Sequence, residues 1–182
     1  MKAKNFWKQV FPVILLTAVV AIAVALLTYT DSITRDRIEA QEEQKVRNML
    51  SEMFPDMSQY ELEDEIYTIY SDGDKIGYAF VAVGKGYGGD INILVGLEDK
   101  TTLKGITIIS QEETPGLGTR ITESPFIDHF VGISINEVAL SKDGGKIDAI
   151  TGSTISSTAV VDAVRTTAME KVKLLKDSEE GD

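Results

Sequence analysis

Residues 148–158 read DAITGSTISST, one carboxylate followed by a cluster of hydroxyls. Asp148, Thr151, Ser153, Thr154, Ser156, Ser157 and Thr158 all fall here, directly before a run rich in Ala and Val. A hydroxyl at a helix start can do two kinds of chemistry. It can satisfy a free N–H of the first turn, which is capping. It can also carry a phosphate ester, because the first-turn N–H groups and the helix dipole favour an anion there. Gly152 lacks a side chain and lets a large group approach the backbone before Thr154. The N–H groups of Ile155, Ser156 and Ser157 would face whatever Thr154 carries. Asp148 would end a strand with its carboxylate near the Thr154 hydroxyl. On these residues alone, cap and attachment point both stay open.

Two further segments have residue types suited to holding a ligand. QEETPGLGTRI, residues 111–121, places Glu113 and Thr114 before Pro115, Gly116, Leu117 and Gly118. Read plainly, it is a tight turn. GKGYGGDINILVG, residues 84–96, puts Tyr87 and Gly88 in a Gly-rich turn. It is not a dinucleotide-binding fingerprint, since a strand rather than a helix follows. His129 reads as a packing or surface residue, Tyr78, Phe80 and Phe130 as core, and the acidic stretch 61–65 as a solvated loop.

Composition narrows the chemistry. The net charge is −11, so no basic surface is available to displace counterions from nucleic acid. The chain has no cysteine and one histidine. That excludes disulfides, iron–sulfur clusters, thiolate zinc sites and a bis-histidine haem built from this chain. Electron transfer would need an organic cofactor.

The three segments together resemble the FMN-binding domain family. DAITGST, 148–154, is similar to that family's flavinylation motif D-x-x-(S/T)-G-A-T, with Ser153 where Ala is usual. The loop Glu113–Gly118 resembles its E-T-P-G-L-G loop, which lies against the flavin; Gln111 stands where the family often has His. Tyr87, Gly88 and Gly89 resemble its G-Y-G-G segment. The resemblance implies FMN joined to Thr154 through a phosphoester bond, made by a dedicated flavin transferase with FAD as donor. The motif order, behind one N-terminal span, is similar to the G subunits of Rnf-type ion-translocating ferredoxin:NAD oxidoreductase complexes. This implies an electron relay, with the D subunit and the membrane subunits A and E as partners and the ion path in other subunits. The longer C subunits of sodium-translocating NADH:quinone reductases share the motifs. A membrane-anchored binding module without redox chemistry is the alternative of another class.

Several elements must position these residues. Lys2, Lys4 and Lys8, with Phe6 and Trp7, precede an uncharged run from Val10 to Leu27. As a helix this run rises about 27 Å, near the roughly 30 Å of a bilayer core. The lysines place the N-terminus in the cytoplasm and the rest of the chain outside it. Residues 1–30 are therefore expected to be the anchor, although the small residues at 23–25 could end a cleaved leader. Residues 31–55 read as a polar connecting helix that docks only its last turns and stops at Pro55. In 56–178 a loop is expected to Glu65, then strands at 66–71, 75–84, 90–97, 103–110 and 146–150. One or two helical turns follow at 121–132, and a long helix at 155–175 carries Val160, Val164, Ala168 and Val172 on one face. Residues 179–182 form a solvated tail. The fold class is α+β, with an antiparallel sheet and flanking helices.

Overall fold

The structure, a computed structural model, describes the backbone of residues 2–179 and side chains at 11–12, 15–29 and 44–176. The lysine flank, Trp7 and the tail beyond residue 179 lie outside these described side chains. The chain divides into two compact units, Met1–Arg47 and Asn48–Asp182.

The first unit belongs to helix α1, Lys2–Met53, which contains Pro12. Leu15, Leu16, Val19, Val20, Ile22, Val24, Leu26 and Leu27 are all exposed along it. Among the described residues no helix is long and apolar enough to cross a membrane. The anchor at Val10–Leu27 therefore rests on the sequence.

The second unit is a five-stranded antiparallel meander in the order β1-β2-β3-β4-β5. The strands are β1 (Gln59–Glu63), β2 (Ile66–Ser71), β3 (Asp74–Lys85), β4 (Asp90–Leu97) and β5 (Leu103–Ser110). Four match the expected segments closely. β1 corrects the expected loop: Tyr60 pairs with Ile69 and Leu62 with Tyr67, while Glu61 and Glu63 alternate between them. Its acidic edge reads as solvated because it is solvated, but it is still a strand. The β1–β2 turn is made by Asp64 and Glu65, both at positive φ. A tight hairpin turn needs that conformation, and Gly or Asn usually advertises it.

One sheet face packs on helix α3, Thr154–Glu179. Phe80, Ala82, Ile93 and Val95 meet Val160, Val161, Val164 and Ala168 in one core with Ile121, Phe126, Phe130 and Ile147. The helix approaches β3 closely at Gly84, where an added Cβ would lie 2.6 Å from the Ala159 carbonyl oxygen. On the opposite face the last turn of α1 docks, with Leu50 and Phe54 buried. Phe54 sits over Gly77, where a Cβ would lie 2.6 Å from its ring.

Between β5 and α3 run short helical turns, including α2 (Ser124–Ile127). The expected strand at 146–150 is absent. Ile147 makes one parallel bridge to Leu140, its N–H donating to the Ala139 carbonyl at 3.1 Å. The start of the β5 edge is met instead by residues 132–135: the N–H of Leu103 donates to Ile133 and that of Gly132 to Leu103, both at 2.9 Å.

Candidate functional site

Helix α3 begins at Thr154, so Ser153 rather than Thr154 occupies the cap position. The Ser153 carbonyl accepts the Ser157 N–H at 2.9 Å and the Ser157 hydroxyl at 3.0 Å. The Ser157 Oγ also accepts the Ile150 N–H at 3.1 Å. Ser157 therefore fastens the approach loop to the helix, and its N–H is spent there. This corrects the expectation of three free N–H groups: those of Ile155 and Ser156 remain at the open first turn. Gly152 turns the chain into the helix at φ +84°.

All three sequence segments meet at a cavity of about 600 Å³ in front of this helix start. Tyr87 borders it from the Gly-rich turn; Glu113, Thr114, Leu117 and Gly118 come from the second loop. Gly152, Ser153, Thr154, Ile155 and Ser156 complete the lining. Thr154 is exposed at the cavity, as are the apolar side chains of Tyr87, Leu117 and Ile155. No lysine or arginine is among the lining residues.

Glu113 holds the three segments together. It is buried, and its Oε1 accepts the Gly88 N–H at 2.9 Å. Its Oε2 accepts the Ser156 hydroxyl at 2.5 Å. Close approach demands glycine around it: a Cβ at Gly118 would lie 2.5 Å from Glu113 Oε2 and 2.7 Å from its Cβ, and one at Gly86 would strike Oε1. Gly88 lies against the Glu112 carbonyl. Pro115 and Gly116 shape the loop without lining the cavity. Gly116 has φ +75°, and its N–H donates to the Thr119 hydroxyl at 3.0 Å.

Asp148 and Thr151 are placed elsewhere. They border a second cavity of about 260 Å³ with Arg120 and His129. Asp148 accepts the Ser141 hydroxyl at 2.5 Å and lies 3.9 Å from His129 Nε2. Its carboxylate thus engages Ser141 and His129, on the other flank of the 148–154 loop.

Gln111 is a residue the sequence did not single out for a positive role. Its Oε1 accepts the Glu113 N–H at 2.6 Å, which orients the buried acid. Sequence offered only a Gln two positions before a Glu, a spacing from which this turn cannot be read without the fold.

A model of the FMN-binding domain matches residues 86–168, a span that contains Tyr87–Gly89, the 111–121 loop and residues 148–158. The G subunit of the ion-translocating oxidoreductase complex of Methanosarcina acetivorans is 33% identical over 172 residues, covering 86% of this chain and 92% of its own length. Its namesake from Haemophilus influenzae is 42% identical over 113 residues, covering 58% and 55%. Among solved structures, the C subunit of the Na(+)-translocating NADH-quinone reductase from Parabacteroides distasonis superposes with a TM-score of 0.50 at 25% identity. That match covers 59% of this chain and 61% of the other. With Tyr87, Glu113 and Thr154 gathered around one cavity at a helix start, the chain belongs to the FMN-binding G subunits of ion-translocating oxidoreductase complexes.

Proposed function

We propose that this chain is the membrane-anchored flavin subunit of an Rnf-type complex, relaying electrons through FMN attached to Thr154. The observation that carries the reading is the convergence of Tyr87, of Glu113, Thr114, Leu117 and Gly118, and of Gly152–Ser156 on one cavity that the exposed Thr154 borders. The residues present fit the cofactor. The open first turn of α3 suits a phosphoryl group, and Tyr87, Leu117 and Ile155 offer apolar surface for a ring system.

The same lining explains why a covalent link is useful. With no lysine or arginine at the cavity, a free phosphate would be held by neutral donors alone, beside the buried Glu113. An ester to Thr154 removes the need for that affinity. In the transfer, the Thr154 oxygen forms a bond to the FMN phosphorus while the bond joining FMN to AMP in FAD breaks. The hydroxyl proton is lost and AMP leaves. Bound FMN supplies one- and two-electron transfer; the protein supplies attachment, orientation and exclusion of water. Alone, the chain carries no complete reaction.

The remaining parts follow from the uncharged run near the N-terminus and from the family. Val10–Leu27 anchors the protein in the bilayer, with the flavin domain extracytoplasmic and Lys2, Lys4 and Lys8 in the cytoplasm. The D subunit and the membrane subunits A and E are the electron partners, and a flavin transferase matures the protein. No charged residue interrupts the span, so the ion path belongs to other subunits. The quinone-reductase reading draws on the Parabacteroides distasonis superposition. Sequence identity favours the Rnf reading: 33% and 42% to the two G subunits against 25% to the quinone-reductase chain.

Peptide mass spectrometry tests the attachment. Trypsin cutting after Lys146 and Arg165 releases a peptide that contains Thr154. Its mass should rise by FMN less one water in protein co-expressed with the transferase. An unmodified peptide in such protein would contradict the reading.

A further inference from the structure

Ser153 is where this chain departs from the family's flavinylation motif, and it is also where the structure leaves a polar atom without a partner. Its residue is 5% exposed, and its Oγ is buried with no hydrogen bond. The residue borders the cavity immediately beside Thr154, and a turn about its Cα–Cβ bond would carry the hydroxyl from its buried position to that opening. The backbone carbonyl of Ser153 accepts the Ser157 N–H, the first bond of the helical ladder. The side chain would ordinarily accept a first-turn N–H as well, and here it does not. A buried hydroxyl without a partner destabilises the fold, so its presence at a ligand cavity calls for a ligand atom.

We propose that Ser153 is a phosphoryl-binding residue, its hydroxyl donating to a phosphate oxygen of the group joined to Thr154. The inference rests on the Thr154 reading above and goes beyond it in assigning the donor. A phosphodiester offers only acceptor oxygens and one negative charge. The cavity lining holds no cationic side chain to meet that charge. The donors at hand are the N–H groups of Ile155 and Ser156 and, uniquely to a chain with serine here, one more O–H. A hydrogen bond to a charged oxygen is stronger than one between neutral groups. Alanine, the residue of the family pattern, would leave the phosphoryl group to the backbone alone.

The test uses the full-length chain in detergent, as wild type and Ser153→Ala, each prepared with and without flavin transferase. Thermal unfolding and the phosphorus-31 spectrum are the readouts. Without flavin, Ser153→Ala should melt at the wild-type temperature or above it, because a buried orphan hydroxyl is removed. With flavin, it should melt about 2–4 °C below loaded wild type, and its phosphorus resonance should move. An equal loss in both forms would identify Ser153 as a helix cap and overturn the proposal. So would a loaded Ser153→Ala protein with an unchanged resonance and melting temperature. A wild type with no bound phosphorus signal would overturn the Thr154 reading and this one together, so the two failures are distinguishable.

Discussion

Each oxygen of Glu113 serves a different segment, Gly88 on one side and Ser156 on the other. The side chain therefore acts as a frame for the cavity. Glutamine can keep both contacts, its Oε1 accepting from Gly88 and its amide donating to the Ser156 oxygen. Alanine keeps neither and leaves Gly88 N–H and Ser156 Oγ without partners. Glu113→Ala should cost about 2–4 kcal/mol in urea unfolding, while Glu113→Gln should stay within about 1 kcal/mol of wild type. Equal losses in the two variants would show that the charge, not the hydrogen bonds, does the framing. At this scale the sequence was informative about which residues gather. Thr154, Glu113 and Leu117 stand out by type and spacing, and all border one cavity. It was silent about direction. Asp148 sits six residues before Thr154, yet it faces Ser141 and His129, because residues 148–150 do not run along the sheet.

Strands and turns were legible where the chain signals its turns. Asp72–Gly73 joins β2 to β3 with both residues at positive φ, and glycine announces it. Asp64–Glu65 makes the same kind of turn without glycine, so β1 is hidden in an acidic stretch. The turn is held from outside: buried Lys171 of α3 donates to the Asp64 carbonyl at 3.1 Å and to Glu65 Oε2 at 2.9 Å. That contact lies between residues more than a hundred apart in the chain and has no local sequence signal. At the β4–β5 turn, Asp99 Oδ1 accepts the Thr101 hydroxyl at 2.7 Å, with the Thr101 and Thr102 N–H groups at 2.6 and 2.9 Å. The Thr101 hydroxyl, then the backbone donors, hold the Asp99 carboxyl below its ordinary value. Lys146 does the same for Glu137, and Lys171 for Glu65. Groups depressed in the folded state stabilise it above their unfolded pKa, and that contribution is lost as pH falls through the folded value. Stability should hold from pH 7 to about 5 and decline below about 4. Asp99→Asn should lower the melting temperature at pH 7 and make its decline toward acid shallower. A melting curve series in which wild type and Asp99→Asn fall in parallel would rule out Asp99 as a contributor. The β3–α3 contact gives a packing prediction: Gly84→Val should cost about 1–3 kcal/mol by overpacking against Ala159, measured as a drop in urea midpoint.

For the whole molecule, the two units divide at Arg47, and the candidate site lies wholly within the second. The first unit presents exposed leucines and valines along α1, a surface unsuited to water. Full-length protein should stay in the membrane fraction after alkaline carbonate washing, and a chain lacking residues 1–30 should be released. Recovery of the full-length chain in the wash would contradict the anchor. The central claim is that Thr154 carries FMN covalently, and denaturing gel fluorescence under ultraviolet light tests it most directly. Wild type and Thr154→Val, each co-expressed with an active flavin transferase, should give a fluorescent band and a dark one. A dark wild-type band, with the transferase active on a control substrate, would contradict it.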